Sequence, residues 1–171
     1  MRRPRRWWLT FLWTFPADVV TWAVVLLIRA LWGARLSWLD GLWVELRERS
    51  WLDRTWGRRW LGFTLGHGGV IAAGRGGGPG ADTETERHEL VHTEQFEVVM
   101  LIGFVMGLVC AVTALVDGCC CAAVTSWLLV WLGSWPLGYA AAAAQAYLRG
   151  EDPYTGNAWE ESAYSQGERE E

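Results

Sequence analysis

"ETERHELVHTEQFEVVMLIGFVMG", residues 84–107, is charged in its first half and apolar in its second. No proline or glycine interrupts it before Gly103, and the apolar run continues to Val116. Thr83, with Glu86 three residues on, supplies a capping-box start. The simplest reading is one continuous helix over about residues 84–116. At 1.5 Å per residue it would be roughly 50 Å long, well beyond a hydrocarbon core of about 30 Å. The excess must stand in water, and the excess carries two histidines.

Working outward, Asp117-Gly118 is a tight-turn pair, and a further apolar run, Cys119–Leu148, comes after it. The two runs make a helical hairpin whose outer ends emerge on one side. The polar tail, 149–171, therefore lies on the same side as His88 and His92, whichever way the protein is oriented. An earlier block, Trp7–Trp32, comes after the basic "MRRPRR" and has no small-x-small cleavage site, so it reads as a retained anchor. Pro16 divides it into either one kinked span or a short interfacial piece before a span from Ala17 to Trp32. Trp7, Trp8, Trp32 and Trp38 stand near block ends, as in an aromatic belt.

Between the first and second blocks the pattern changes period. In "LDGLWVELRERSW" Leu42, Val44 and Leu46 alternate with Trp43, Glu45 and Arg47, which predicts a half-buried strand. "RRWLGFTLGHGGVIAAG" predicts a second strand with Phe63, Leu65 and His67 on one face. Together they predict a small antiparallel sheet. "GRGGGPGAD", 74–82, is a flexible loop without the Lys-Ser/Thr ending of a phosphate loop. The expected fold class is an α+β membrane protein with about three transmembrane helices, one N-terminal and two in the C-terminal hairpin. The chain divides into four segments: 1–32, the basic start and first membrane segment; 33–82, the β-rich region; 83–148, the histidine helix and hairpin; and 149–171, the tail.

Of the 171 residues, 51% are hydrophobic, and the net charge of −4 argues against a nucleic-acid partner. All fifteen basic residues are arginine, a bias of GC-rich genomes, so the expected setting is a bacterial inner membrane with the bilayer as the main partner. Cys110, Cys119, Cys120 and Cys121 fit neither a zinc ribbon nor a redox pair and read as small apolar residues at a helix end. Which side the histidines face is open. A single span through block one puts them outside, and a re-entrant one puts them in the cytoplasm. Arginines flank the block on both sides, Arg35, Arg47, Arg49, Arg54, Arg58 and Arg59 standing opposite "MRRPRR".

His88 and His92 share a helix face, so both imidazoles can reach one ion, and Glu89 is placed as general base. The match is to the HExxH pattern of zinc hydrolases, against the plainer reading of two solvated histidines. A catalytic zinc needs a third protein ligand. In "NAWEESAY", 157–164, Asn157 is a plausible N-cap and Glu160 falls in the first turn of a short helix, with Glu161 as its rival. Gly103 and Gly107 continue the metal face toward the lipid, and "GYAAAAAQA", 138–146, is the small-residue partner expected to pack on them.

"HELVHTEQ" with "DPYTGNAWEESAY" resembles the HExxH-xxQ … NPxExxA pattern of gluzincin-like bacterial integral membrane proteins, and "GFTLGHGGVI" resembles the strand before their histidine helix. The resemblance covers roughly residues 40–165. It implies a zinc-metallopeptidase-like fold with a zincin-like helix continuous with the second span, Zn2+ ligands His88, His92 and Glu160, and Glu89 as base. Gln95 matches a glutamine of the pattern with no assigned role. Tyr164 stands where better-known gluzincins carry an aspartate, and Ala158 where the pattern has proline.

Three functions compete. The first is a membrane-embedded zinc metallopeptidase, cutting a membrane-anchored or juxtamembrane peptide that adds to the strand at Thr64, Leu65, Gly66 and His67. His67 then lines the cleft, against its plainer reading as an exposed strand histidine. The second is a catalytically inactive metal-binding or structural protein that keeps the zincin frame. The third is a small structural membrane protein with an accidental motif.

Overall fold

The computed structural model describes residues 7–38, 41–55, 62–72 and 84–168. The glycine-rich loop at 74–82, Thr83, Arg58 and Arg59 lie outside them. The elements run α1 (Trp7–Trp32), β1 (Arg35–Trp38), β2 (Leu42–Glu45), α2 (Trp51–Thr55), β3 (Gly62–Thr64), β4 (Gly68–Ile71), α3 (Glu84–Val116), α4 (Cys120–Leu148) and α5 (Ala158–Glu168). Three of these, within α1, α3 and α4, are long and apolar enough to cross a membrane. The chain forms two compact units, Met1–Glu94 with Ala163–Glu171, and Gln95–Ser162. Both α3 and α5 run unbroken from one unit into the other.

In the first unit α1 is a single helix with Pro16 inside it. Its buried positions, Thr14, Asp18, Thr21 and Val25, recur at intervals of three and four and make one stripe. Leu12, Val20, Leu27 and Leu31 are exposed. The lower part of the stripe packs on the sheet. Val25 belongs to a core with Ala34, Val44, Leu46, Leu52 and Val70, and Ile28 and Trp32 lie against it.

The sheet has four strands in the order β1-β2-β4-β3 and is mixed, not antiparallel. β1 pairs antiparallel with β2, and β3 antiparallel with β4, but β2 and β4 run parallel, from Leu42↔Gly68 to Glu45↔Ile71. The correction has a local cause. The predicted second strand is two strands, folded back through Leu65–His67. Gly66 takes φ +62°, a conformation that favours glycine, and Leu65 N–H donates to Gly68 O at 2.8 Å. With β3 spent on the way out, β4 returns beside β2 in the same direction.

Burial corrects a second expectation. The alternation in β2 is present, but it is not half-buried: Trp43 is 1% exposed and Val44 0%. Both faces of that strand are covered. Period-two patterning reports which residues share a face, and cannot report whether an apolar Trp on the other face also has a neighbour.

In the second unit α3 and α4 form the expected hairpin through Asp117–Cys119. Gly103 and Gly107 are its contact points, but the alanine run is not their partner. A Cβ at Gly103 would stand 2.4 Å from Ser134 Oγ, and one at Gly107 would stand 2.7 Å from Trp127 Cδ1. Phe104 packs edge-on against Trp127 and Trp131 beside them. Close approach is thus permitted by glycine on one helix and filled by tryptophan on the other. Gly103→Val is expected to destabilise the hairpin by about 1–3 kcal/mol, the usual scale of overpacking. The midpoint of denaturation by a harsher detergent measures it. Cys119, Cys120 and Cys121 lie exposed at the turn end, and all four cysteines are free.

Candidate metal centre

His88 and His92 lie one turn apart on α3, their rings at 85° and 4.8 Å between centroids. Their Nε2 atoms are 3.2 Å apart. A tetrahedral ion with Zn–N bonds of about 2.0–2.1 Å would set two imidazole nitrogens about 3.3 Å apart. The two side chains are thus spaced as an ion would require. His88 and His92 belong to the first unit, and Glu160, the third ligand that the resemblance implies, belongs to the second. His92 is 7% exposed and Glu160 2%. Two imidazoles and a buried carboxylate are the donor set of a three-ligand zinc site with a fourth position open, so the residues present fit the ion. Glu161, the rival ligand, is exposed.

The local structure explains why Glu160 is the one turned in. Asn157 caps α5: its Oδ1 accepts from the N–H groups of Trp159 and Glu160, at 3.0 and 3.1 Å, and its Nδ2 donates to Pro153 O and Tyr154 O. The cap fixes the first turn and with it the direction of Glu160. Tyr139 hydroxyl donates to Glu160 Oε1 at 3.1 Å. The turn before the cap is organised by Asp152, whose carboxylate accepts from Thr155 and Tyr154 N–H groups and is held below the usual carboxylate range by them. Asn157→Ala is expected to cost about 0.5–2 kcal/mol of stability and to weaken metal binding through Glu160. Thermal denaturation with and without zinc separates the two effects.

Gln95 now has a role: its Nε2 donates to Trp159 O at 2.9 Å, fastening α3 to the residue before Glu160. Tyr164, at the position of the expected aspartate, has its ring 4.5 Å from that of His88. A phenol packed against an imidazole restricts the ring's orientation by contact.

Glu89 is 4% exposed. Thr64 hydroxyl reaches both its carboxylate and, at 3.1 Å, its backbone carbonyl. A Cβ on Gly62 would lie 2.3 Å from Glu89 Oε1. β3, an edge strand, therefore runs directly over this carboxylate, and a side chain on Gly62 would have to push it aside. Gly62→Ala is expected to displace the Glu89 side chain while leaving zinc content unchanged, which metal analysis of the purified variant checks.

The four residues expected to line a substrate strand divide. Thr64 is in β3, but Leu65, Gly66 and His67 make the turn after it. His67 is not an exposed strand residue. It is 1% exposed, with its N–H, its carbonyl and both ring nitrogens in hydrogen-bonding contact with α1 and β2. At His67 itself both main-chain groups are already bonded, so an extended peptide could not pair with that residue. Tyr139, whose hydroxyl holds Glu160, carried no signal in the sequence. Asp18 did, as an acid inside an apolar block, and Glu97, 9% exposed within the second block, is another. Comparison with protein-family models, curated proteins and solved structures gives no match.

Proposed function

We propose that the protein is a membrane-associated zinc metallopeptidase of the gluzincin type, hydrolysing a peptide bond close to the bilayer surface. The His88–His92 pair, its Nε2 atoms 3.2 Å apart and Glu89 beside the first histidine, carries the reading, with Glu160 as the proposed third ligand. A Zn2+ ion held there would supply Lewis acidity toward water and a carbonyl oxygen. The chain's own part is proton handling and orientation. Glu89 takes a proton from the attacking water and returns it to the leaving amine. Thr64 holds its carboxylate, and Tyr139 holds that of Glu160. His92 and Phe96 are four residues apart, about 6 Å along the helix, so the bond cut lies next to lipid. A membrane-anchored or juxtamembrane peptide suits that height.

The test uses full-length protein in nanodiscs with zinc at micromolar supply. Zinc should copurify, and single-span peptides should be cut within a few residues of the bilayer. A preparation that takes up no zinc ends the proposal. One observation favours a second reading, an inactive metal-stabilised frame: the Glu89 carboxylate is buried and already bonded by Thr64. Zinc-dependent stability without hydrolysis of any such peptide would select it.

A further inference from the structure

Asp18 is the one acid in α1 and is fully buried, 0% exposed, halfway along a helix apolar enough to cross a membrane. An acid placed there is costly unless it is paired and hydrogen-bonded. Its whole pairing goes to one residue. His67 N–H donates to Asp18 Oδ1 at 2.9 Å, and His67 Nδ1 meets Asp18 Oδ2 at 2.8 Å. The two groups share one proton across that contact, as Nδ1–H to a carboxylate or carboxyl O–H to Nδ1. Nε2 faces Thr10 Oγ1 at 3.1 Å, with Thr14 Oγ1 3.4 Å from Nδ1. Thr10, Thr14 and Asp18 recur at steps of four, on one helix face. Further along, Trp22 Nε1 donates to His67 O at 3.0 Å, and Leu42 N–H donates to the same oxygen at 2.9 Å.

This is more than burial of a histidine requires. Backbone donor, backbone acceptor and ring are all clamped, and most of the clamp comes from α1. The clamped residue ends a short turn. Three residues before it, Thr64 touches the Glu89 carboxylate, and a Cβ on Gly62 would press against that side chain. One rigid hairpin is therefore fixed to α1 at its turn and rests on Glu89 at its strand.

We propose that Asp18 and His67 are positioning residues: through the β3–β4 hairpin they set where Thr64 holds the Glu89 carboxylate. The inference rests on the reading of Glu89 as the general base. Their hydrogen bonds described above run to each other, α1 and β2, so zinc binding should not depend on them.

The experiment compares wild type, Asp18→Asn, Thr64→Val and the double variant, all full length in nanodiscs. Unchanged zinc affinity shows that each variant folds around its site. Asp18→Asn should lower kcat by about ten- to a hundredfold with KM little altered, the scale of a misplaced catalytic group. Thr64→Val should do the same, and the double variant should be no worse than Thr64→Val alone, because both act through one contact. Multiplicative losses, or an Asp18→Asn protein as active as wild type, overturn the proposal. If wild type cuts no peptide, the proposed function fails separately, and hydrogen exchange then tests the clamp. His67 and Leu65 amides should exchange about tenfold or more faster in Asp18→Ala, the scale of leaving a buried donor without its acceptor. Unchanged exchange at both would overturn it.

Discussion

Replacing Glu89 by glutamine is expected to leave zinc content unchanged and to lower peptide cleavage by about 10²–10⁴-fold, the usual contribution of a general base. Glutamine keeps the size and the hydrogen-bonding reach of the side chain, so Thr64 and Gly62 still enclose it. The lost property is the capacity to take a proton. Metal analysis and single-turnover cleavage of a membrane-anchored peptide measure the two halves separately. A variant that keeps wild-type activity would remove Glu89 from the chemistry. One that loses zinc would make it a structural group instead.

The second large effect is expected at the ligands. Even an outer partner of a ligand is worth about 10–100-fold in metal affinity, so removing a ligand should cost at least about 100-fold. At free zinc 100 times the wild-type dissociation constant, the bound ion stabilises the fold by about 2.7 kcal/mol. After His92→Ala or Glu160→Ala the same zinc concentration would stabilise it by only about 0.4 kcal/mol. Thermal denaturation across a zinc titration reads this directly. Glu161→Ala, at the exposed neighbouring acid, should behave as wild type. If Glu160→Ala and Glu161→Ala shift together, the ligand assignment in α5 is wrong.

The parts legible in the sequence are those set by local periodicity and covalent connection. The run from Glu84 to Val116 had to be one helix, since it holds no proline and no glycine before Gly103. The Asp117-Gly118 turn had to send the chain back. Asn157 had to cap the short helix after it, because its amide reaches the first-turn N–H groups. His88 and His92 share a face by the helix period alone.

The features that were not legible depend on neighbours distant in sequence. Alternation placed Trp43 and Val44 on opposite faces of β2, and only packing decides that both faces are covered. The glycines around His67 marked flexible backbone, but the turn at Gly66, and hence the parallel pairing of β2 with β4, depends on how the hairpin sits on α1. The glycine pair in α3 signalled close packing without naming Trp127 and Ser134 as its fillers.

By itself the sequence determined three apolar helices, a histidine pair aimed along one of them, and a capped acid in the tail, because each is a matter of residues within a few positions of one another. The tertiary structure alone decided that Glu160 is buried and Glu161 exposed, that β3 closes over Glu89, and that the acid inside α1 is matched to His67. Those choices depend on burial. A polar side chain can be kept from water only where the fold brings its hydrogen-bonding partner, and sequence spacing does not say where that will be.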